Sequence, residues 1–247
     1  MSHVARLFVD ADLSQGALVP LEEGQSKYLL RVMRLEAGAI LRAFNGRDGE
    51  WLCRLQVNGK KAALEPTEQV RPQEAGLDLT LLFAPIKKTR TDFIVEKASE
   101  LGVRTIQPVI TEYTQTSRVR ADRLQSLVIE AAEQTERMDI PEVCNDLPLG
   151  KALAAWDRSK PLYYCDEGSA ARPMVEVLKG DLPQAAGLLV GPEGGFSPRE
   201  REMLRALEFV ISVTLGPRIL RAETAVVSAL TLWQALVGDW DKGPYLA

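Results

Sequence analysis

The feature that most constrains this chain is a pair of strand–loop–helix units between Gly187 and Ala225. The first, GLLVGPEGGFSPRE (residues 187–200), is an apolar run followed by a glycine-rich turn and the start of a helix. The second, VTLGPRILRAETA (residues 213–225), is a short apolar run, a Gly-Pro bend with two arginines, and another helix start. Open α/β sheets bind ligands at the carboxyl ends of their strands, so both loops are candidate binding loops. Two ordinary strand-to-helix turns would have the same spacing.

The residues of the first loop narrow the class of ligand. Gly191, Gly194 and Gly195 allow a positive φ or a close approach of the backbone to a ligand. SPRE (residues 197–200) predicts a helix start, with serine as N-cap, proline at the first position and glutamate completing a capping box. The loop lacks the G-x-G-x-x-G pattern of dinucleotide-binding proteins, and no Lys-Ser/Thr pair follows it as in a P-loop.

GPEGGFSPRE followed by LGPRILRAETA resembles the motif pair of the RsmE family within the SPOUT methyltransferase superfamily. FIVEKASELGV (93–103) and EAAEQTERMDIP (130–141) also match that family, so the resemblance covers the chain from about residue 25 onward. The family comprises bacterial 16S rRNA (uracil(1498)-N3)-methyltransferases. The resemblance implies S-adenosyl-L-methionine as cofactor, 16S rRNA or the assembled small ribosomal subunit as partner, a homodimer and a cytoplasmic location.

Composition excludes several other classes. No run approaches the roughly 18 uninterrupted apolar residues that span a membrane, and the first ten residues lack a signal-peptide core. Cys53, Cys144 and Cys165 are far apart, so neither a disulfide framework nor a zinc cluster is indicated, and no metal is expected. His3 is the only histidine, so proton transfer would use a carboxylate, Lys, Tyr, Cys or water.

The charge is unevenly distributed along the chain. The formal net charge is −4, yet residues 27–61 hold eight basic side chains against three acidic ones. Residues 124–247 hold twelve against eighteen. A basic amino-terminal region joined to an acidic half fits a protein that meets a polyanion at one end. A normally solvated surface would show the same distribution.

The pattern of elements predicts a small β-rich domain over residues 1–72 and an α/β domain over residues 73–247. The resemblance makes the first a PUA-like β-barrel that binds RNA, and the second a mostly parallel, trefoil-knotted SPOUT domain whose active site a second subunit completes. In the first domain we predict strands at 5–10, 16–19 and 60–70, a helix at 23–38 and a hairpin at 39–57, with a boundary at 71–76. In the second we predict strands at 77–85, 103–110, 160–165, 187–191 and 209–216, and helices at 87–102, 120–138 and 223–238.

The predicted helix at 23–38 would place Tyr28, Leu29, Val32 and Leu35 on its apolar side. In the final helix, an apolar face is consistent with a dimer interface and equally with burial inside one subunit. That face comprises Val226, Val227, Leu230 and Trp233.

Site residues follow from the two loops and the resemblance. Small residues would let the cofactor approach the backbone closely, and branched apolar residues would pack against it. We predict that the cofactor contacts Leu189, Gly191, Pro192, Glu193, Gly194, Gly195, Leu215, Gly216, Ile219, Leu220 and Ala225. Arg221 would stabilise negative charge on the uracil oxygens, and Glu193 or Glu223 would accept a proton or hold its loop, the structural role being favoured for Glu223.

RNA contacts are predicted at Lys27, Arg31, Arg34 and Arg218. Relatives commonly carry a histidine near the position of Lys27, so a role for that imidazole does not transfer. Arg42, Arg47, Arg54 and Trp51 are further candidates, whereas Phe44 and Tyr28 are predicted to be core. Residues shared with relatives are open to ion-pair, surface or RNA-facing roles: Lys97, Glu100, Glu133, Gln134 and Arg137.

Two alternatives stay open from sequence. The chain could be a SPOUT methyltransferase with a different RNA target, because the loops address the cofactor rather than the substrate. It could also be a non-catalytic RNA-binding protein of ribosome assembly.

Overall fold

In the computed structural model, residues 4–115, 119–168, 171–180 and 182–243 are described. His3, the single histidine of the sequence, lies outside them. Contacts group Met1–Ala75 with Ala132–Ile140 as a smaller unit, and Gly76–Ala131 with Pro141–Ala247 as a larger one. The division predicted at residues 72 and 73 remains a prediction.

A mostly antiparallel sheet forms the smaller unit, and its hairpin over residues 39–57 was predicted from two apolar runs around an Asn-Gly turn. Among the described residues, five strands occur in the order β1-β3-β4-β5-β2, with β1 parallel to β3. Leu29, Leu41, Leu55 and Leu64 are fully buried in its core. The elements are β1 (Arg6–Phe8), β2 (Val19–Pro20), α1 (Glu23–Lys27), a π-helical turn (Tyr28–Val32), β3 (Ile40–Phe44), β4 (Glu50–Asn58) and β5 (Lys61–Arg71).

The helix predicted at 23–38 is wrong beyond Val32. A π-helical turn rotates the side chains, so Leu29 is buried while Val32 is 67% and Tyr28 43% exposed. The backbone of Arg34 then takes a φ of +55°, which ends the helix. The strand predicted at 16–19 is also largely absent, because only Val19–Pro20 pairs with β5.

The larger unit is an α/β fold built on a parallel sheet, as predicted. Its strands follow the order β11-β13-β10-β12-β6-β7-β8 in the part of the chain that the structure describes, and β9 pairs with β7. Its elements are β6 (Leu79–Phe83), α2 (Lys88–Glu100), β7 (Thr105–Ile110), α3 (Ala121–Gln134), β8 (Glu142–Val143), β9 (Leu147–Pro148), α4 (Leu149–Ala154), β10 (Leu162–Cys165), β11 (Arg172–Pro173), α5 (Met174–Val177), β12 (Ala186–Val190), α6 (Pro198–Arg205), β13 (Val210–Thr214) and α7 (Ala222–Leu236).

The central strand β12 is fully apolar, which suits a parallel strand covered on both faces. Every residue of β12 is buried between β10 and β6. The helix predicted at 120–138 ends early, at Gln134, and Glu136 follows with a φ of +60°. The short elements β8, β9, β11, α4 and α5 were not predicted, because runs of two to six residues carry too little periodicity.

Candidate active site

Two loops and a strand end form one cleft at the carboxyl edge of the parallel sheet. Residues 191–197 follow β12, and residues 215–221 follow β13. Strand β10 lies between β12 and β13, so its own carboxyl end opens between the two loops. This is the edge at which open α/β sheets bind their ligands.

The first loop is closed by the helix start that the sequence predicted. Ser197 Oγ accepts a hydrogen bond from the Glu200 amide (3.2 Å), and Glu200 Oε2 accepts one from the Ser197 amide (2.9 Å), with Pro198 at the first helical position. The other carboxylate oxygen of Glu200 accepts from the amide of Glu112 at 2.9 Å. Buried Glu200 therefore joins the glycine-rich loop to the loop that follows β7.

The glycines of the two loops have different roles. Gly195 and Gly216 adopt φ values of +68° and +113°, and a Cβ on either would meet nothing within 4 Å. These positions need glycine for the backbone conformation. At Gly191 a Cβ would lie 2.6 Å from the Phe196 ring, so Gly191 makes room for that side chain.

Most of the predicted cofactor residues line the cleft, although their role remains a prediction. Leu189 lies instead in the sheet core, fully buried within β12. Gly194 faces an adjoining groove. The predicted residues that do line the cleft are Gly191, Pro192, Glu193, Gly195, Leu215, Gly216, Ile219, Leu220 and Ala225.

The two arginines of the second loop are placed differently. Arg218 lines the cleft, whereas Arg221, the predicted catalytic cation, is exposed at the N-cap position of α7 and outside the cleft lining. Ile219 is 83% exposed beside Arg218, an unusual position for a branched apolar side chain.

Sequence reasoning missed the end of β10. Tyr164, Cys165, Asp166 and Glu167 all line the cleft. Asp166 is buried and accepts hydrogen bonds from the Gly168 amide (2.9 Å) and from Arg205 (2.7 Å). The stretch YYCDEG carried a usable signal, because acidic residues and a glycine directly follow an apolar strand.

Burial raises the pKa of two ionisable groups of the cleft above their ordinary values. Desolvation raises the pKa of the Cys165 thiol to about 12. Desolvation, with the nearby negative charge of Asp166, also raises the pKa of the Tyr164 hydroxyl well above its usual value. Both groups are protonated at neutral pH. The same lining also holds the carboxylates Asp166, Glu167 and Glu193.

Arg90 of α2 lies between one carboxylate from each loop region. Its Nη1 is 3.7 Å from Glu193 Oε1, and its Nε is 3.5 Å from Glu223 Oε1. The second oxygen of Glu223 is buried without a hydrogen-bond partner among the described residues. Arg90 therefore links the glycine-rich loop electrostatically to the start of α7.

In the smaller unit, the predicted RNA-binding residues Lys27, Arg31 and Arg34 are exposed. Tyr28 beside them is exposed as well, so its prediction as a core residue is wrong, whereas Phe44 is fully buried as predicted.

Ion pairs occupy several of the other candidates. Arg42 pairs with Glu136 at 3.2 Å, and Arg47 pairs with Asp12 at 3.1 Å. Trp51 is half-buried and donates its indole N–H to the Asp48 carbonyl.

The residues shared with relatives mostly make local contacts. Lys97 pairs with Glu100, and Arg137 pairs with Asp139 at 2.7 Å. Glu133 accepts a hydrogen bond from the Phe8 amide at 2.9 Å, and Gln134 is exposed.

Neither a metal nor a membrane is indicated by the described residues. They contain no group of three or more His, Cys, Asp or Glu side chains placed to hold a metal ion. Within the same ranges, no helix is both long enough and apolar enough to span a bilayer.

Comparison with known proteins adds independent findings. A family model described as an RNA methyltransferase domain matches residues 73–234, and one described as an RNA methyltransferase PUA domain matches residues 21–66. The ribosomal RNA small subunit methyltransferase E of Rickettsia conorii is 32% identical over 91% of this chain and 93% of its own. The protein of that name from Synechocystis is 33% identical over 94% of this chain and 78% of its own.

Solved structures agree over nearly the whole chain. A ribosomal RNA small subunit methyltransferase E from Neisseria gonorrhoeae, bound to S-adenosyl methionine, superposes with a TM-score of 0.85 at 32% identity and covers 96% of this chain and 100% of its own. A putative methyltransferase from Legionella pneumophila, in complex with the same cofactor, gives a TM-score of 0.84 at 26% identity and covers 94% and 98%.

Proposed function

Because the chain belongs to the ribosomal RNA small subunit methyltransferase E family, we propose that it methylates N3 of a uracil in 16S rRNA, the position that the family name (uracil(1498)-N3) denotes. Membership confirms the resemblance to the RsmE family, the fold class, the methyltransferase activity and the use of S-adenosyl-L-methionine. The observation that carries the proposal is the cleft between the two loops, which is lined by residues of the motif pair together with the end of β10.

The lining fits the parts of this cofactor. Leu215, Leu220 and Ala225 offer apolar walls, and Gly195 leaves open space where a side chain would stand. The 83% exposed side chain of Ile219 would be covered by an adenine or a similar flat group. Carboxylates at the end of β10 and on the first loop suit the positive sulfonium and amino groups.

When bound, S-adenosylmethionine supplies an electrophilic methyl group on a positively charged sulfur. Uracil N3 gives up one proton for the methyl group it gains, so the chain must accept or release that proton. We assign the acceptor role to Glu193, which lines the cleft and is 43% exposed. Glu223 is more buried and lies in the first turn of α7, where its charge stabilises the helix start.

Arginines of the second loop complete the assignment. Arg221 is exposed at the N-cap of α7, directly after the loop residues that line the cleft, and we assign it the stabilisation of charge on the uracil oxygens. Arg218 would neutralise a phosphate beside the cleft. In the smaller unit, Lys27, Tyr28, Arg31 and Arg34 are all exposed within one short segment, which supports contacts to phosphates together with stacking on a base.

The homodimer, the trefoil knot and a cytoplasmic location belong to this proposal and rest on the family resemblance. The apolar side chains Val226, Leu230 and Trp233 of α7 are fully buried within the subunit. They are therefore unavailable to a partner subunit, and the dimer has no support from them.

The test is transfer of a tritiated methyl group from the cofactor to small ribosomal subunits that lack the modification, with the modified base located by mass spectrometry. We expect label on one uracil of 16S rRNA and methylation at N3. Label on another RNA or another base atom would indicate a different target. Cofactor binding without transfer to any ribosomal particle would indicate a non-catalytic protein.

Arg221→Ala tests the catalytic assignment. We expect the turnover to fall by about 10²- to 10³-fold while the cofactor Kd stays within about twofold, because the lost charge acts on the uracil alone. Arg104→Ala is the matched control, since this exposed arginine precedes β7 at the opposite edge of the sheet. Unchanged turnover in Arg221→Ala would remove Arg221 from the mechanism.

A further inference from the structure

The candidate cofactor cleft contains a cation that neither motif loop supplies. Arg201 belongs to α6, lies in the lining of the cleft and is half-buried. No carboxylate in the described part of the chain lies within ion-pair distance of its guanidinium. A half-buried arginine without an acidic partner is available to an anion that enters the cleft.

Arg201 lies on the face of α6 that meets the end of β10. Arg205, one turn further along the helix, donates to Asp166 Oδ2 at 2.7 Å, and residues four positions apart share a helix face. Burial and the charge of Asp166 raise the pKa of the Tyr164 hydroxyl, whereas the positive charges of Arg205 and Arg201 lower it in part. Both guanidinium groups are therefore near the carboxyl end of β10, where the cleft opens.

The start of α6 is anchored, so the position of Arg201 is well defined. Ser197 and Glu200 form the capping box, and Glu200 also accepts from the Glu112 amide at 2.9 Å. Leu204, on the next turn, is fully buried in the core of the larger unit. A cation on an anchored helix loses less conformational freedom on binding than one on a mobile loop.

The carboxylates of the cleft differ in the cations they meet. Asp166 is already paired with Arg205 at 2.7 Å, and Glu193 lies 3.7 Å from Arg90. Glu167 is exposed at the end of β10. These carboxylates suit the amino and sulfonium groups of S-adenosylmethionine, but they would repel its own carboxylate.

Two cations of the lining could bind that carboxylate. Arg218 is exposed on the second motif loop, where water and salt screen its charge. Arg201 is half-buried, so its charge is screened less. A guanidinium also presents two parallel N–H donors that match the two oxygens of a carboxylate.

We propose that Arg201 binds the carboxylate of the amino-acid part of S-adenosylmethionine and thereby makes the cleft select the intact methionine end of the cofactor. The inference deepens the proposed function and rests on its use of this cofactor. It adds a recognition residue from outside the two motif loops.

The experiment compares two ligands that differ only in this carboxylate. The Kd values of S-adenosylmethionine and of decarboxylated S-adenosylmethionine, which keeps the amino and sulfonium groups, are measured by calorimetry for wild type, Arg201→Met and Arg201→Lys. The ratio of the second Kd to the first should fall by about tenfold in Arg201→Met, because a charge-assisted hydrogen bond to the carboxylate is lost. Arg201→Lys keeps the charge and should retain part of the ratio, and the melting temperature should be unchanged in both variants.

Arg199→Met is the matched control, because Arg199 is exposed on the same helix and does not line the cleft. It removes the same charge, so it measures the long-range effect of that charge on two ligands of different net charge. We expect its ratio within about twofold of wild type.

The inference is overturned if Arg201→Met keeps the wild-type ratio, or if its ratio shifts no more than that of Arg199→Met. A wild-type chain that shows the expected ratio but transfers no methyl group to small ribosomal subunits would refute the proposed function alone.

Discussion

Two clusters of arginine and glutamate, one in each unit, use the same residue types for different purposes. The buried cluster, in the smaller unit, consists of Glu50 and Glu136 with Arg6, Arg42 and Arg71. The loop cluster, in the larger unit, consists of Arg90 with Glu193 and Glu223. Residue identity alone does not separate them, whereas burial and distance do.

The buried cluster has its central groups withdrawn from water. The side chains of Glu50 and Arg6 are 0% and 4% exposed, and Arg6 donates to Glu50 and to the carbonyls of Ala132 (2.6 Å) and Arg137 (2.7 Å). Its guanidinium also stacks over the Phe44 ring. Because breaking a buried pair leaves an uncompensated charge, these groups fix residues 132–140 against the sheet of this unit.

The ion pairs of the loop cluster are longer, and their side chains are more exposed to solvent. Its two contacts measure 3.7 and 3.5 Å, and the side chains of Arg90 and Glu193 are 37% and 43% exposed. Pairs of this kind contribute little to stability, and they can change partners at low cost. The comparison teaches that the tight, buried cluster holds the smaller unit together, while the loose, half-exposed cluster borders the candidate cofactor cleft.

The largest expected effect is that of Glu50→Gln on the stability of the smaller unit. Removing the buried charge leaves Arg6 without its carboxylate and weakens Arg42 and Arg71, so we expect a loss of about 3–5 kcal/mol in the stability of the smaller unit. Hydrogen exchange read by mass spectrometry measures this unit separately. Protection should fall over residues 39–72 and remain unchanged over residues 186–214 of the larger unit.

Glu68→Gln is the matched control for Glu50→Gln, because Glu68 is exposed on β5 of the same sheet. We expect its protection to stay within about 0.5 kcal/mol of wild type. Equal protection in Glu50→Gln and Glu68→Gln would mean that the buried cluster is not a stabilising element.

The second-largest effect, on the affinity for S-adenosylmethionine, is expected for Arg90→Ala. Without the guanidinium, Glu193 and Glu223 face each other without a cation, so the two loops that line the cleft separate. We expect the Kd of S-adenosylmethionine to rise by about tenfold, or about 1.4 kcal/mol, while the melting temperature changes little. Arg90→Lys, which keeps the charge, should recover part of the affinity.

Arg104→Ala again serves as the control, because it removes an exposed arginine from the opposite edge of the sheet. Its cofactor Kd should equal that of wild type. If Arg90→Ala instead bound the cofactor normally but lost several kcal/mol of stability, the two clusters would have the same role and the distinction between them would fail.

Sequence reasoning predicted what regular periodicity and known motifs encode. The β3–β4 hairpin, the parallel strands β6, β7, β10, β12 and β13 and the cap at Ser197 are all confirmed. It failed where one residue changes the path of the backbone. The π-helical turn before Arg34 and the left-handed Glu136 depend on tertiary contacts that no local pattern shows.

The residues of the candidate site that lie in the two motif loops were predictable from sequence. Those that the order of the strands brings beside the loops were not. Glu193, Gly195 and Ile219 are named by the loops themselves. Asp166 directly follows β10, which the sheet order β13-β10-β12 places between the two loops, and sequence spacing does not contain that order. Leu189 was given a ligand role, yet it lies in the sheet core, whereas Gly191 lines the cleft and also makes room for Phe196.

The smallest expected effect is on stability and concerns Glu136, at the exposed edge of the buried cluster. Its variants distinguish the contribution of ion pairing from the cost of backbone strain. Glu136 is 39% exposed, pairs with Arg42 and Arg71, and holds a φ of +60°. Glu136→Ala keeps that strain and loses the pairs, so we expect a loss of about 1 kcal/mol, while Glu136→Gly relieves the strain and should recover about 0.5–1 kcal/mol. Hydrogen exchange over residues 39–72 measures both variants. A loss of several kcal/mol in Glu136→Gly would show that this half-exposed pair is as strong as the buried one, and that exposure does not separate the two kinds of cluster.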